Sequence, residues 1–161
     1  MIEALLSVLT PAEILAVGSL TLLSLADLRD RALPGVRIFF LAAVIFSALE
    51  DPRKLVLVLL VVGWGMMPRL PVLFTLPAAI NPSAWPALLT AAGVRRELIA
   101  RGDLLAIGGI TCLMEWQGSF LALLGVICWR RFWRKKDPGT APALPGMQLG
   151  LLLAVGFQFL F

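Results

Sequence analysis

Histidine is absent from this chain, and cysteine occurs only twice, at Cys112 and Cys128. Without histidine there is no imidazole to activate a serine or cysteine nucleophile. Two cysteines sixteen residues apart, both inside apolar runs, do not make a zinc-ligand set, whose members sit at close spacing. Both read as packing residues, and neither a metal nor any other cofactor is expected. Charge is also scarce. Ten acids and fourteen basic residues are spread over 161 positions, and long stretches carry none.

Apolar residues fill the rest. They make up 60% of the chain, and the mean hydropathy is +0.92, whereas soluble domains sit nearer half apolar. The apolar runs show no alternation of period two, so they read as helices. In lipid only helices and closed barrels satisfy the backbone, and a crossing helix needs about 20 mostly apolar residues. The expected fold is an all-α polytopic membrane protein with about six transmembrane helices, one domain over residues 1–161, in contact with a lipid bilayer. The net charge of +4 reports topology here. No basic block interleaved with aromatics stands outside the helix ends, so no nucleic-acid partner is expected. The opening "MIEALLSVLT" has no Lys or Arg before its apolar stretch and carries Glu3, unlike a cleaved signal peptide.

The first run starts at Thr10-Pro11-Ala12-Glu13, a capping box with proline at the first helical position, and ends in "SLADLRD". "RALPG" breaks it, and a second run covers about Val36 to Leu49. Asp51-Pro52 caps a third from about Leu55. Between Pro68 and Gly93 five prolines intervene. This spacing predicts that the third helix kinks or ends, and that an interfacial helix follows from about Ser83 to Ile99. A fourth run starts at Asp103, a fifth near Gly118, and the last covers about Ala143 to Phe161. Small residues recur at helical spacing on run four (Gly102, Ala106, Gly109) and run five (Gly118, Ala122, Gly125), as close helix packing requires.

Eleven of the fourteen basic residues fall in three places. They are Arg29, Arg31 and Arg37 after run one, Arg95, Arg96 and Arg101 before run four, and Arg130, Arg131, Arg134, Lys135 and Lys136 after run five. Six crossings put all three on one side. The positive-inside rule makes that side cytoplasmic and both termini external.

Seven of the ten acids sit in ends or loops, where solvation or capping is the default. Asp27, Asp30 and Asp103 remain, all at the cytoplasmic boundary. Asp103 opens run four, where a helix N-terminus welcomes an anion. Asp27 closes run one, where the helix dipole disfavours a carboxylate. Two carboxylates at one depth with unequal proton affinities are what an aspartic peptidase uses, one ionised to activate water and one protonated to donate. The dipoles favour Asp103 as the base and Asp27 as the acid.

These residues resemble a known family. "DLRDRALPG", residues 27–35, resembles the first catalytic stretch of type IV prepilin leader peptidases, in which Asp and basic residues precede Ile-Pro-Asn. "ARGDLLA" resembles that family's Gly-x-Gly-Asp motif, and "APALPGMQLGLLLA" the Pro-containing entry to its last helix. The resemblance implies a membrane aspartic endopeptidase that cleaves the basic leader of prepilins or pseudopilins at the cytoplasmic face of a prokaryotic cytoplasmic membrane. Asp27 and Asp103 match its catalytic pair, Gly102 its glycine before the second aspartate, and Pro34 its motif proline. Asp30, one turn from Asp27, is read as a partner for Arg31 or for the leader's basic residues. Ala100 stands where the motif's first glycine would be, Gly35 replaces the motif asparagine, and the motif lysine after the second aspartate is missing. The insert with paired cysteines found in the larger bacterial enzymes is also missing, so N-methylation is not implied. Two other readings compete. One is an inactive, diverged membrane scaffold or assembly subunit of a pilus or secretion system, which would tolerate Asp27→Asn and Asp103→Asn. The other is a small transporter, which would need ionisable residues near the bilayer midplane that the runs almost wholly lack.

Overall fold

The computed structural model describes residues 9–30, 35–133 and 143–160, with side chains for all of these except 28–30 and 158–160. The described residues contain no strand. They form eight α-helices: α1 (Pro11–Asp30), α2 (Gly35–Glu50), α3 (Pro52–Met66), α4 (Leu76–Ala79), α5 (Trp85–Arg95), α6 (Arg101–Leu113), α7 (Trp116–Trp133) and α8 (Leu144–Leu160). The all-α class expected from the sequence is borne out, and six of these helices match the six apolar runs in order.

Local chemistry sets the boundaries. At the start of α1 the Thr10 amide donates to Glu13 Oε2 at 2.8 Å, and the Glu13 amide donates to Thr10 Oγ1 at 3.3 Å, which is the expected capping box. The Lys54 amide donates to Asp51 Oδ1 at 3.1 Å, capping α3 behind Pro52. α3 stops where Pro68 drives Met67 into extended backbone, with φ −110° and ψ 100°. The proline-rich stretch that follows holds only single turns, Val72–Thr75 and Pro82–Ala84 in 3-10 form and α4 between them. The third run therefore ends at Met66, and α5 lies within the stretch expected for the interfacial helix.

α5 closes in a Schellman motif. The Leu98 amide reaches Gly93 O at 2.9 Å and the Glu97 amide reaches Val94 O at 3.0 Å. The motif puts Glu97 at φ 58°, a left-handed position that glycine usually fills. An L-residue there costs roughly 1–2 kcal/mol, and glycine recovers part of that against its own entropy cost. Glu97→Gly is therefore expected to stabilise the fold by about 0.5–1 kcal/mol, read as a raised thermal midpoint of the purified protein. A lowered midpoint would mean that the Glu97 side chain makes a contact worth more than the strain.

α6 is the central helix. It packs against α1, α2, α3, α5, α7 and α8, and every residue from Ala106 to Leu113 is buried. Its small residues make room for neighbours. A Cβ on Gly109 would come within 2.6 Å of the Phe39 ring, and one on Gly108 within 2.9 Å of Val62 and 3.1 Å of Phe40. The predicted small-residue stripe thus holds at Ala106 and Gly109. Gly102 departs from it, because a Cβ there would meet nothing within 4 Å.

The closest helix pair is α7 and α8. A Cβ on Gly150 would strike the Leu121 carbonyl, with its carbon at 2.6 Å, and one on Gly146 would lie 2.7 Å from Gly125 O. Backbone meets backbone here, as in small-xxx-small helix pairs. Cys112 is buried, as expected of a packing residue, whereas Cys128 is exposed on α7.

The outer surface is strongly apolar. Leu22, Leu25, Ile38, Ile45, Leu49, Ile127 and Leu153 are each more than half exposed. Among the described residues no single helix is long and apolar enough to cross a membrane. One bent pair, Val72–Ala79 with Pro82–Arg95 at 119°, reaches that length and composition together.

Candidate active site

Asp27 and Asp103 come from helices far apart in the chain, and the fold gathers them at one end of the bundle. Asp27 lies near the C-terminus of α1 and is 7% exposed. Its Oδ2 accepts from the Leu144 amide at 3.3 Å, and Leu144 is the first residue of α8. Asp103 lies in the first turn of α6, with its side chain 14% exposed. The two carboxylates are near enough for each to act electrostatically on the other.

The helix ends hold them differently from the sequence expectation. α6 begins at Arg101, with Ala100 as its N-cap residue, so Asp103 stands at the third helical position and does not open the helix. Its carboxylate reaches back to the backbone of Ala100, one half of a capping box. Asp27 was expected to suffer at the negative end of α1. Its carboxylate instead sits at the positive end of α8, with a helix N–H as its donor. Both carboxylates therefore meet a helix N-terminus, and for Asp27 this offsets the negative end of α1. The reason is tertiary: Leu144 is 117 residues from Asp27.

Asp103 is also held by Arg130. Its Nη2 donates to Asp103 Oδ2 at 2.5 Å, and its Nη1 donates to Leu98 O at 3.4 Å. One guanidinium thus ties α7 to α6 and to the loop after α5. The sequence reading counted Arg130 as a topology marker and missed this contact. Its helical position near the end of run five, on the side expected to hold both aspartates, was the signal available.

Gly102 neighbours Asp103 and is exposed, with open space where a side chain would project. Glycine at this place is not required for packing. Alanine there is expected to stabilise α6 by up to about 1 kcal/mol through helix propensity. If a substrate strand approaches this face, Gly102→Ala slows its cleavage while raising the thermal midpoint. Ala100, at φ −73° and ψ 150°, adopts backbone open to any residue, so the alanine carries no conformational cost. A cavity of about 530 Å³ opens beside it, walled by Pro68, Arg95, Leu98 and Arg101 among others.

Pro34 lies outside the described residues, and so does the side chain of Asp30, whose backbone ends α1. Among the described residues no three His, Cys, Asp or Glu side chains gather as a metal site. No protein-family model, curated protein or solved structure matches this chain.

Proposed function

We propose that the chain is a membrane-embedded aspartic endopeptidase of the prepilin-peptidase kind, with Asp27 and Asp103 as its catalytic pair. The observation that carries this reading is the convergence of the two aspartates, at mutual electrostatic reach, at one end of a helical bundle. Aspartic peptidases need such a pair. In this reading Asp103, paired with Arg130, is the base and Asp27 the acid. Water attacks the scissile carbonyl carbon and gives its proton to Asp103, while Asp27 gives its proton to the carbonyl oxygen. On collapse the C–N bond breaks, the amine takes the proton from Asp103, and Asp27 regains its own from the diol. No cofactor is required.

Residence in the cytoplasmic membrane of a prokaryotic cell, with the pair at the cytoplasmic face, is part of the same proposal. The apolar outer surface and the three basic loops support it. Several helices are short for a bilayer: 13 residues in α6 rise about 20 Å, against a hydrocarbon core near 30 Å. Central position relieves α6 of facing lipid, and local thinning accommodates the rest at modest cost.

A non-catalytic assembly subunit is the second reading. One observation favours it: both carboxylates already hold structural partners, Arg130 and the start of α8. Co-expression with a type IV prepilin in cells lacking their own peptidase separates the two. The proposal predicts removal of the leader just before the pilin's apolar helix. A wild-type chain that accumulates in the membrane and leaves the prepilin intact would overturn it.

A further inference from the structure

Two buried polar atoms near Asp27 have no hydrogen-bonding partner in the protein. Ser24 is 6% exposed and Gln148 is 8% exposed, and neither Ser24 Oγ nor Gln148 Oε1 is hydrogen-bonded. Their positions are fixed by two bonds between α1 and α8. Gln148 Nε2 donates to Thr21 Oγ1 at 2.7 Å, and Thr21 spends its own proton on Val17 O at 2.8 Å. One turn away on α8, the Leu144 amide donates to Asp27. Ser24 lies on the buried stripe of α1, between the levels of Thr21 and Asp27. Along the helix pair, a hydroxyl and a carboxamide oxygen thus stand between the levels of the two cross-helix bonds, with the exposed Thr21 at the outer one.

Leaving such groups unpaired is costly, about 1–3 kcal/mol each. Natural interiors almost always satisfy them, and an ordered water is the usual means where protein donors are missing. Here the missing partner must donate to Gln148 Oε1 and can exchange either role with Ser24 Oγ. Water does both. Of the neighbouring buried side chains, Leu20 and Leu151 are apolar and do neither, and Asp27 makes no hydrogen bond to Ser24 Oγ or Gln148 Oε1.

We infer that Ser24 and Gln148 form a binding site for one water molecule, which supplies the hydrolytic water to the Asp27–Asp103 pair. The bound water stands about one helical turn from Asp27, roughly 4.5 Å along the axis of α1. A peptidase enclosed by apolar helices draws few waters from bulk, so a held one shortens the wait for a nucleophile. The delivery role rests on the peptidase reading, whereas the water site itself does not.

The test uses the full chain in phospholipid nanodiscs, with magnetisation transfer from water to the Gln148 side-chain amide read by solid-state NMR. Fast transfer is expected in the wild type. Ser24→Val fills the site and is expected to reduce the transfer at least about fivefold, and Ser24→Ala, which keeps the fold with less perturbation, to reduce it in part. Alongside, Ser24→Ala and Gln148→Met are expected to lower kcat for prepilin cleavage about tenfold with KM unchanged, and Ser24→Thr to restore it. Absence of transfer in the wild type, or equal transfer in Ser24→Val, overturns the water site. Intact transfer behaviour with unchanged kcat overturns delivery. Intact transfer behaviour in a chain that cleaves no prepilin leaves the site standing and removes the peptidase reading instead.

Discussion

Asp27→Asn and Asp103→Asn are each expected to lower prepilin cleavage on the order of 10²–10⁴-fold, the range that a positioned acid or base contributes. The stability of Asp103→Asn checks the geometry independently of activity. Asparagine at 27 keeps an oxygen that can accept from the Leu144 amide, so the cap on α8 survives. Asparagine at 103 removes the charge that Arg130 pairs with at 2.5 Å. A guanidinium left partly buried beside a neutral amide costs about 1–3 kcal/mol. Asp103→Asn should therefore lower the midpoint and loosen the loop through Leu98, which Arg130 also holds. An unchanged midpoint in Asp103→Asn would mean that the Arg130 contact contributes little.

Gly150→Ala is expected to be, with Gly125→Ala, among the most damaging single methyl additions at the described glycines. Its Cβ would be driven into the Leu121 carbonyl and lie 2.7 Å from Ala122 Cα. Those are backbone atoms of α7, so no side chain can rotate away. The two helices must part, and α7 carries Arg130 toward Asp103. Overpacking of this kind costs about 1–3 kcal/mol or more. The expected result is reduced accumulation, a lowered midpoint, and loss of activity in whatever folds. The same substitution at Gly102 should do the opposite to stability, because its Cβ meets open space. Measuring both by thermal unfolding in one detergent tests the packing with a matched pair of methyl groups.

Much of the fold could be read before any coordinates. The capping box at Thr10 and Glu13, the cap at Asp51, and the stop imposed by Pro68 are all local, set by residues within four positions of one another. Hence the order of helices and most of their ends were visible. The site was legible in a narrower sense. Asp27 and Asp103 stood out because carboxylates are rare beside long apolar runs, and the three basic loops put them on one side. Their partners were hidden because they are non-local: Leu144 reaches Asp27 across 117 positions and Arg130 reaches Asp103 across 27. A helix-end argument applied to Asp27 saw only the C-terminus of α1 and not the N-terminus of α8. Close contact between α7 and α8 was half visible. Ala122 and Gly125 were marked on one side, while Gly146 and Gly150, four apart on the last helix, carry the other.

Catalytic groups that act as one unit lose their effect together. The direct test is therefore the residual cleavage rate of Asp27→Asn, Asp103→Asn and the double variant, each at matched membrane abundance against one co-expressed prepilin. If the two carboxylates form a single catalytic pair, the double variant is no slower than the slower single variant. Single variants that keep near wild-type cleavage, or a double variant whose loss is the product of two independent losses, would contradict the pair.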